Sequence, residues 1–262
     1  MVLPRRTPPS ARRASFARAL AFQRETIELI ADEVTPIPGG SVIRTPSLPE
    51  VWALNQVRIE RPTGFAEAVA LADRHLHELP YRRLTVPEPM GGELEAEFRA
   101  AGWRVDCELT MAFAEEPDRE VDTSAVLTPS GEAVLELLRR WAREGWDGRP
   151  EPEAERQLGR YWELEWRTRN ARLLGISTRE GSLAATTVLY SDGRAAQVES
   201  VYTVPEERGR GFARALVTRA LELAAEGGHE LTFIVADDHG WPKQLYARLG
   251  FEPVGRSWTF HR

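Results

Sequence analysis

The sequence predicts an α/β protein with mixed sheets, built from two related halves in tandem. Three observations predict it. Segments with helical spacing of apolar residues alternate with short strand-like segments along the chain. Blocks of the first half recur in order in the second. "ERPTGFAEAVALADRHL" from Glu60 aligns without a gap to "ERGRGFARALVTRALEL" from Glu207, and Leu84-Thr85 falls on Leu231-Thr232 at the same spacing of 147 positions. "FRAAGW" from Phe98 then falls on "YARLGF" from Tyr246, 148 positions on, and three blocks in order indicate a duplicated unit. Finally, a turn with two glycines and two arginines, Arg208–Gly211, joins a strand-like segment to a helical one.

The chain has 262 residues, enough for two small domains, and 42% hydrophobic residues, enough for a packed core. A formal net charge of −6 argues against electrostatically driven nucleic-acid binding. The longest apolar runs are too short for a membrane span. The one cysteine, Cys107, excludes an intrachain disulfide, fits a reducing cytoplasm and reads as a buried small hydrophobe. Residues 1–14, rich in Arg, Pro and Ser, read as a flexible tail; Arg5-Arg6 lacks the apolar stretch of a twin-arginine signal.

In order, the first half reads as a helix over Phe16–Ile30, a break at "TPIPGG", strands at "SVIRT" and "VWALNQVRI", and a helix over Phe65–Leu79. A short strand "YRRLTV", a helix over Glu93–Ala101 stopped by Gly102 and a closing strand "ELTMAF" complete it. The charged, proline-bearing "AEEPDREVD" places a linker at 115–121, so the expected units are 15–115 and 122–262. The second half reads as a strand at Ser124–Leu127, helices over Glu132–Glu144 and Glu153–Arg172, and strands "ARLLGIS", "SLAATTVLY" and "AAQVESVYTV". A loop and helix at Arg208–Ala225, the strand "ELTFIVA", a helix over Pro242–Leu249 and a last strand "WTFH" follow.

The chemistry concentrates at the glycine turn. The first amides of a helix have no partner within it and point along the axis, where the helix dipole favours negative charge. Gly209 and Gly211 allow unusual backbone angles and close approach of a ligand, and Arg208 and Arg210 add donors and charge. The plain alternative is an ordinary loop with two solvated arginines. No GxGxxG opens a βαβ unit and no P-loop lysine is present.

The spacing Arg208, Gly211, Ala213, after a strand ending "YTV", resembles the [Q/R]-x-x-G-x-[G/A] motif of the GCN5-related N-acetyltransferase (GNAT) family. The later "TFIVADDHGWPKQLYARLGF", a strand and then a helix with tyrosine before "GF", is similar to the family's closing elements, and the resemblance spans about residues 122–262. It implies two GNAT-like domains, each a mostly antiparallel twisted sheet flanked by helices, with acetyl-CoA as co-substrate and no metal. It implies that Arg208, Gly209, Arg210, Gly211, Phe212 and Ala213 hold the coenzyme A pyrophosphate. Tyr246 would protonate the departing sulfur, and the Val204 amide, or a neighbour if a bulge shifts the register, would stabilise the oxyanion. Tyr246 could instead be a packing residue beside Pro242, Leu245 and Leu249.

An attacking amine must lose a proton, and Glu199, on the strand before the turn, is the candidate base; the alternative is an exposed strand carboxylate. Strand alternation sets it on the opposite face from Val204 unless a bulge intervenes. In the first half Pro62 replaces Gly209, Thr63 replaces Arg210 and Phe98 replaces Tyr246, so that half reads as a degenerate copy that completes or shields the second. For the acceptor, Trp141, Trp146, Trp162 and Trp166 with Glu163 and Glu165 could hold a cationic amine; the alternative is that Leu158, Trp162 and Trp166 form the apolar stripe of one amphipathic helix. Asp238 and His239 precede the tyrosine helix and read as loop or capping residues.

The activity expected is transfer of acetyl to a primary amine of a small molecule or peptide, by a monomer or homodimer in the cytoplasm that engages neither nucleic acid nor membrane. A non-catalytic acyl-CoA sensor and a tandem-GNAT biosynthetic acyltransferase are the alternatives.

Overall fold

The computed structural model describes residues 8–145 and 151–262. Helix α1 (Pro9–Ile30) leads into an antiparallel ladder of β1 (Glu33–Ile37), β2 (Gly40–Arg44) and β3 (Gln56–Ile59). Then come α2 (Phe65–His75), β4 (Arg83–Pro87), α3 (Met90–Ala100) and β5 (Arg104–Phe113). The second half runs α4 (Gly131–Gly145), α5 (Pro152–Thr168), β6 (Arg172–Ser177), β7 (Leu183–Ser191) and β8 (Ala195–Thr203), followed by α6 (Phe212–Glu226), β9 (Leu231–Asp237), α7 (Pro242–Arg248) and β10 (Phe251–His261).

All ten strands form one sheet in the order β1-β2-β3-β4-β10-β5-β9-β8-β7-β6. Its logic is a reciprocal exchange. Each half contributes one parallel pair, β3 with β4 and β8 with β9. Each is then closed by the last strand of the other half: β10 lies antiparallel to β4, and β5 lies antiparallel to β9. The exchanged strands pair with each other along their length, from Phe251 opposite Phe113 to His261 opposite Arg104.

The cores follow the exchange. Trp258 and Phe260 of β10 pack with Val57, Leu84, Phe98 and Trp103 of the first half, while Leu109 and Met111 of β5 pack with Val198, Leu216, Ile234 and Tyr246 of the second. The expected closing strands "ELTMAF" and "WTFH" are therefore real, but each closes the other half. Strand propensity carries no information about which edge a strand joins. Residues 115–121 mark where the chain crosses over, within a continuous sheet.

Helices α2, α3, α6 and α7 cover one face, by apolar spacing such as Ala68, Ala72 and Leu76 in the first half and Leu216, Ala220 and Ala224 in the second. On the other face α1 spans the junction of the halves. Phe16 lies against Gly255, and Phe22 meets Phe233 edge-on at 5.5 Å. Arg169, just after α5, binds the Phe22 carbonyl at 2.8 Å and the Thr26 hydroxyl at 2.6 Å.

Several expectations need correction. Helix α1 begins at Pro9, a residue favoured in a first turn, so 9–14 are helix rather than tail, and residues 1–7 lie outside the described residues. "TPIPGG" contains the end of β1, because Pro36 sits on an edge strand where its missing N–H costs no ladder bond. Trp52–Leu54 is a 3-10 turn, and Ser124–Leu127 reduces to one bridge between Leu127 and Gly175. No helix among the described residues is long and apolar enough to cross a membrane.

Candidate active site

The site begins where two strands part. β8 and β9 run parallel from Ala195 opposite Leu231 to Val198 opposite Ile234. Beyond that pair β9 continues along β5, while β8 stays with β7. β8 carries a bulge there. Thr186 faces Tyr202 but Val188 faces Glu199, so β8 holds one extra residue, and Ser200 adopts φ 57°. The bulge shifts the alternation by one. Glu199 and Val204 therefore share the face covered by α4 and α5, which removes the objection that alternation raised.

The same geometry corrects the assignment of Val204. Its amide donates to the Ala184 carbonyl at 2.9 Å and is not free for an oxyanion; its side chain packs near Leu137 and Tyr202. Amides along a strand alternate between its two edges, so those of Thr203 and Val201 face the opening instead.

The chain then makes a short turn, Pro205–Glu207, and enters α6 through Gly209 (φ 79°) and Gly211 (φ 82°), left-handed angles that a side chain resists. A Cβ at either glycine would meet nothing within 4 Å, so the glycines serve backbone conformation and access. Gly211 is the N-cap, and no side chain caps the helix. The amides of Phe212, Ala213 and Arg214 precede the first intrahelical partner, since Ala215 already bonds Gly211 at 3.0 Å. Exposed Arg208 reaches the Thr203 carbonyl (3.1 Å) and Glu144 (3.2 Å), and exposed Arg210 pairs with Glu207 at 2.5 Å. An anion here meets free amides and two arginines whose carboxylate partners it can displace.

On the α1/α5 face a cavity of about 650 Å³ is lined by both halves. Glu199 lies in its wall with Gln197, whose amide donates to it at 2.7 Å, while the Ser200 amide donates at 3.1 Å. Burial nevertheless pushes the Glu199 carboxyl up to about 7. Beside it Glu165 accepts from the Tyr161 hydroxyl at 2.6 Å and from Tyr190 at 3.3 Å, and burial raises its pKa to about 8. Tyr246 lies on α7 with its ring buried in the core and edge-on to Phe251 at 6.3 Å. Its hydroxyl has no hydrogen-bond partner among the described residues, and burial followed by the charge of Glu199 raises its pKa well above that of a free phenol.

Of the aromatic cluster, Trp141 and Trp162 line the cavity with Glu165. Trp166 and Glu163 face a separate open groove beside Arg139, and Trp146 lies outside the described residues. Asp238 is held by Arg256 (2.8 Å) and Lys243, and the His239 side chain has no hydrogen-bond partner among the described residues. Burial pushes the Cys107 thiol up to about 11, so it stays protonated. No cluster of His, Cys, Asp and Glu among the described residues could hold a metal.

Residues 132–251 match the model of the Acetyltransferase (GNAT) family. The GNAT match is to this segment, a GNAT family-model domain in the second half. The matched segment spans α4 to the start of β10 and includes the parted strands, the glycine turn and Tyr246. A GCN5-related N-acetyltransferase from Kribbella flavida superposes with TM-score 0.62 at 19% identity, covering 94% of this chain and 94% of that one. A functionally unknown conserved protein from Staphylococcus epidermidis gives 0.65 at 12% identity, covering 89% and 94%. A tandem GNAT protein from the clavulanic acid biosynthesis pathway gives 0.50 at 17%, covering 79% and 74%. These identities show a common fold. Among curated proteins none matches.

Against the GNAT domain, the first half has lost the features of an anion site. Pro62 has no N–H, and Gly64 takes φ −76°. Phe98, where the GNAT domain has Tyr246, is fully buried and stacks on Phe260 at 4.1 Å.

What the sequence reading missed is the first half's share of the cavity. Arg58 on β3, Arg83 and Thr85 on β4, and Glu108 on β5 all line it. A signal existed in β4, where Arg83 and Thr85 alternate with fully buried Leu84 and Val86, a pattern that presents a polar face.

Proposed function

We propose that the protein is an acetyl-CoA-dependent N-acetyltransferase acting on a primary amine by direct attack. The observation that supports this most strongly is that Glu199, on the strand leading into the glycine turn, lies within electrostatic range of the Tyr246 phenol on α7. GNAT family members use acetyl-CoA, and the chain's residues fit it. Glycines at left-handed angles, unpartnered helix amides, Arg208 and Arg210 suit a diphosphate. The parted strand edge suits the extended arm that follows, and the coenzyme supplies an acetyl thioester when bound.

Glu199, with a pKa near 7, is half ionised near neutrality and takes the proton that the amine must lose, directly or through water. The Thr203 and Val201 amides are the candidate donors to the carbonyl oxygen as its charge grows. Tyr246 stays protonated at neutral pH and gives its proton to the leaving sulfur. The two groups are coupled. The charge of Glu199 is one of the causes that hold the phenol's pKa up, so neutralising Glu199 makes Tyr246 a stronger acid for the later step.

The test is thiol release from acetyl-CoA across a panel of amines, namely alkylamines, polyamines, amino sugars, amino acids and peptides, with mass spectrometry of the product. Amine-dependent release with an N-acetyl product supports the reading. Coenzyme A binding without release for any amine contradicts it.

A further inference from the structure

We propose that the acceptor is a primary amine that also bears a carboxylate, and that Arg83 of the first half binds that carboxylate. This rests on the acetyltransferase reading and names its substrate class.

The cavity contains three arginines, and two are committed. Arg24 binds Glu28 at 2.7 Å and Glu60 at 2.8 Å, and Arg58 binds Glu28 at 2.8 Å. Among the described residues the Arg83 side chain makes neither a hydrogen bond nor an ion pair, and its Nε is buried without an acceptor. Glu108 and Asp106 lie within electrostatic range of Arg83, but neither comes within ion-pair distance. Its Nε is closed to water without an acceptor while the residue, half-buried, lines the cavity, and the planar fork of a guanidinium matches the two oxygens of a carboxylate.

The opposite wall has the opposite character. Glu199 on β8 and Glu165 on α5 offer carboxylates framed by the Tyr161 and Tyr190 hydroxyls. Glu108 stands between, close enough to influence both Arg83 and Glu199. The cavity is thus cationic on the β4 side and acidic on the side of the reacting groups. A zwitterion laid across it satisfies both walls. A simple alkylamine leaves Arg83 unpaired, and a polyamine sets a second cation against it.

During transfer the acceptor's N–C bond forms as the thioester's C–S bond breaks. The amine proton passes to Glu199 and the Tyr246 proton to the sulfur. Arg83 touches only the carboxylate, so it governs binding and orientation.

The experiment measures kcat/KM for thiol release with L-amino acids and with ω-amino acids from β-alanine to 6-aminohexanoate, each against its own carboxamide, in wild type and Arg83→Gln. The best acid is expected to exceed its carboxamide by about tenfold or more. Arg83→Gln removes that preference by raising KM for the acid, with kcat, carboxamide turnover and coenzyme A affinity kept. A wild-type enzyme that takes the carboxamide equally well overturns the inference, as does a variant that loses both substrates alike. If neither series releases thiol while another amine of the panel does, the inference is overturned and the acetyltransferase reading stands; if no amine releases it, that reading fails. Calorimetry of the same pairs on the protein saturated with coenzyme A then decides on Arg83: acid-selective binding lost in Arg83→Gln upholds its role, and equal or absent binding overturns it.

Discussion

The Glu199 carboxylate on β8 lies close enough to the Tyr246 phenol on α7 for its charge to raise the phenol's pKa. Two groups on separate elements, β8 and α7, are thereby coupled. Tyr246→Phe removes the hydroxyl and keeps the ring that packs on Phe251. Turnover is expected to fall at least tenfold, within the roughly 10²–10⁴-fold worth of general acid catalysis, with coenzyme A affinity unchanged. Steady-state kinetics beside calorimetry check this, and unchanged turnover removes Tyr246 from the mechanism.

The pH dependence follows from Glu199. Its carboxyl is held at about 7, so the base form grows as pH rises through 7, and kcat/KM rises with it. Glu199→Gln flattens that rise and lowers turnover. Stability changes in the opposite sense. A carboxyl raised above its ordinary value favours the folded state at low pH, and this contribution is lost as pH climbs through about 7. The melting temperature of Glu199→Gln relative to wild type is therefore higher at pH 8.5 than at pH 5. A difference independent of pH argues against a raised carboxyl at this position.

Gly211 caps α6 at φ 82°, an angle that costs an L-residue roughly 1–2 kcal/mol. Gly211→Ala is expected to lower stability by about that amount and to weaken coenzyme A binding severalfold, because the turn must shift to relieve the strain. Urea melts and calorimetry measure the two effects. The corresponding change in the first half, Gly64→Ala, sits at φ −76° with no neighbour within 4 Å and leaves both unchanged.

The strand exchange makes the halves one unit. Phe260 of β10 is fully buried and stacks on Phe98 of α3. Phe260→Ala is expected to cost about 3–5 kcal/mol. Denaturation followed by tryptophan fluorescence and by circular dichroism should then give coincident transitions. Two separated transitions would mean that the halves unfold independently.

How much of this was legible in the sequence depends on the range of the interaction. The glycine turn, α6, α7 and the hairpins are local, written in apolar spacing and turn residues, and they stand close to where the sequence places them. The duplication shows because Phe65 and Phe212 open equivalent helices. The exchange of β5 and β10 was not legible, because pairing is long-range and either edge would accept either strand. The bulge at Ser200, which takes Val204 out of the donor role, has no glycine to announce it. Arg83 escaped notice because a half that has lost its anion site reads as a shield, whereas it forms one wall of the cavity.

The account depends most on the turn before α6. A crystal structure with coenzyme A measures it directly. The account predicts one molecule per chain, its diphosphate on the amides around Gly209–Arg214 and its arm running between β8 and β9. A diphosphate bound at residues 60–64, or a nucleotide placed away from α6 altogether, would contradict it.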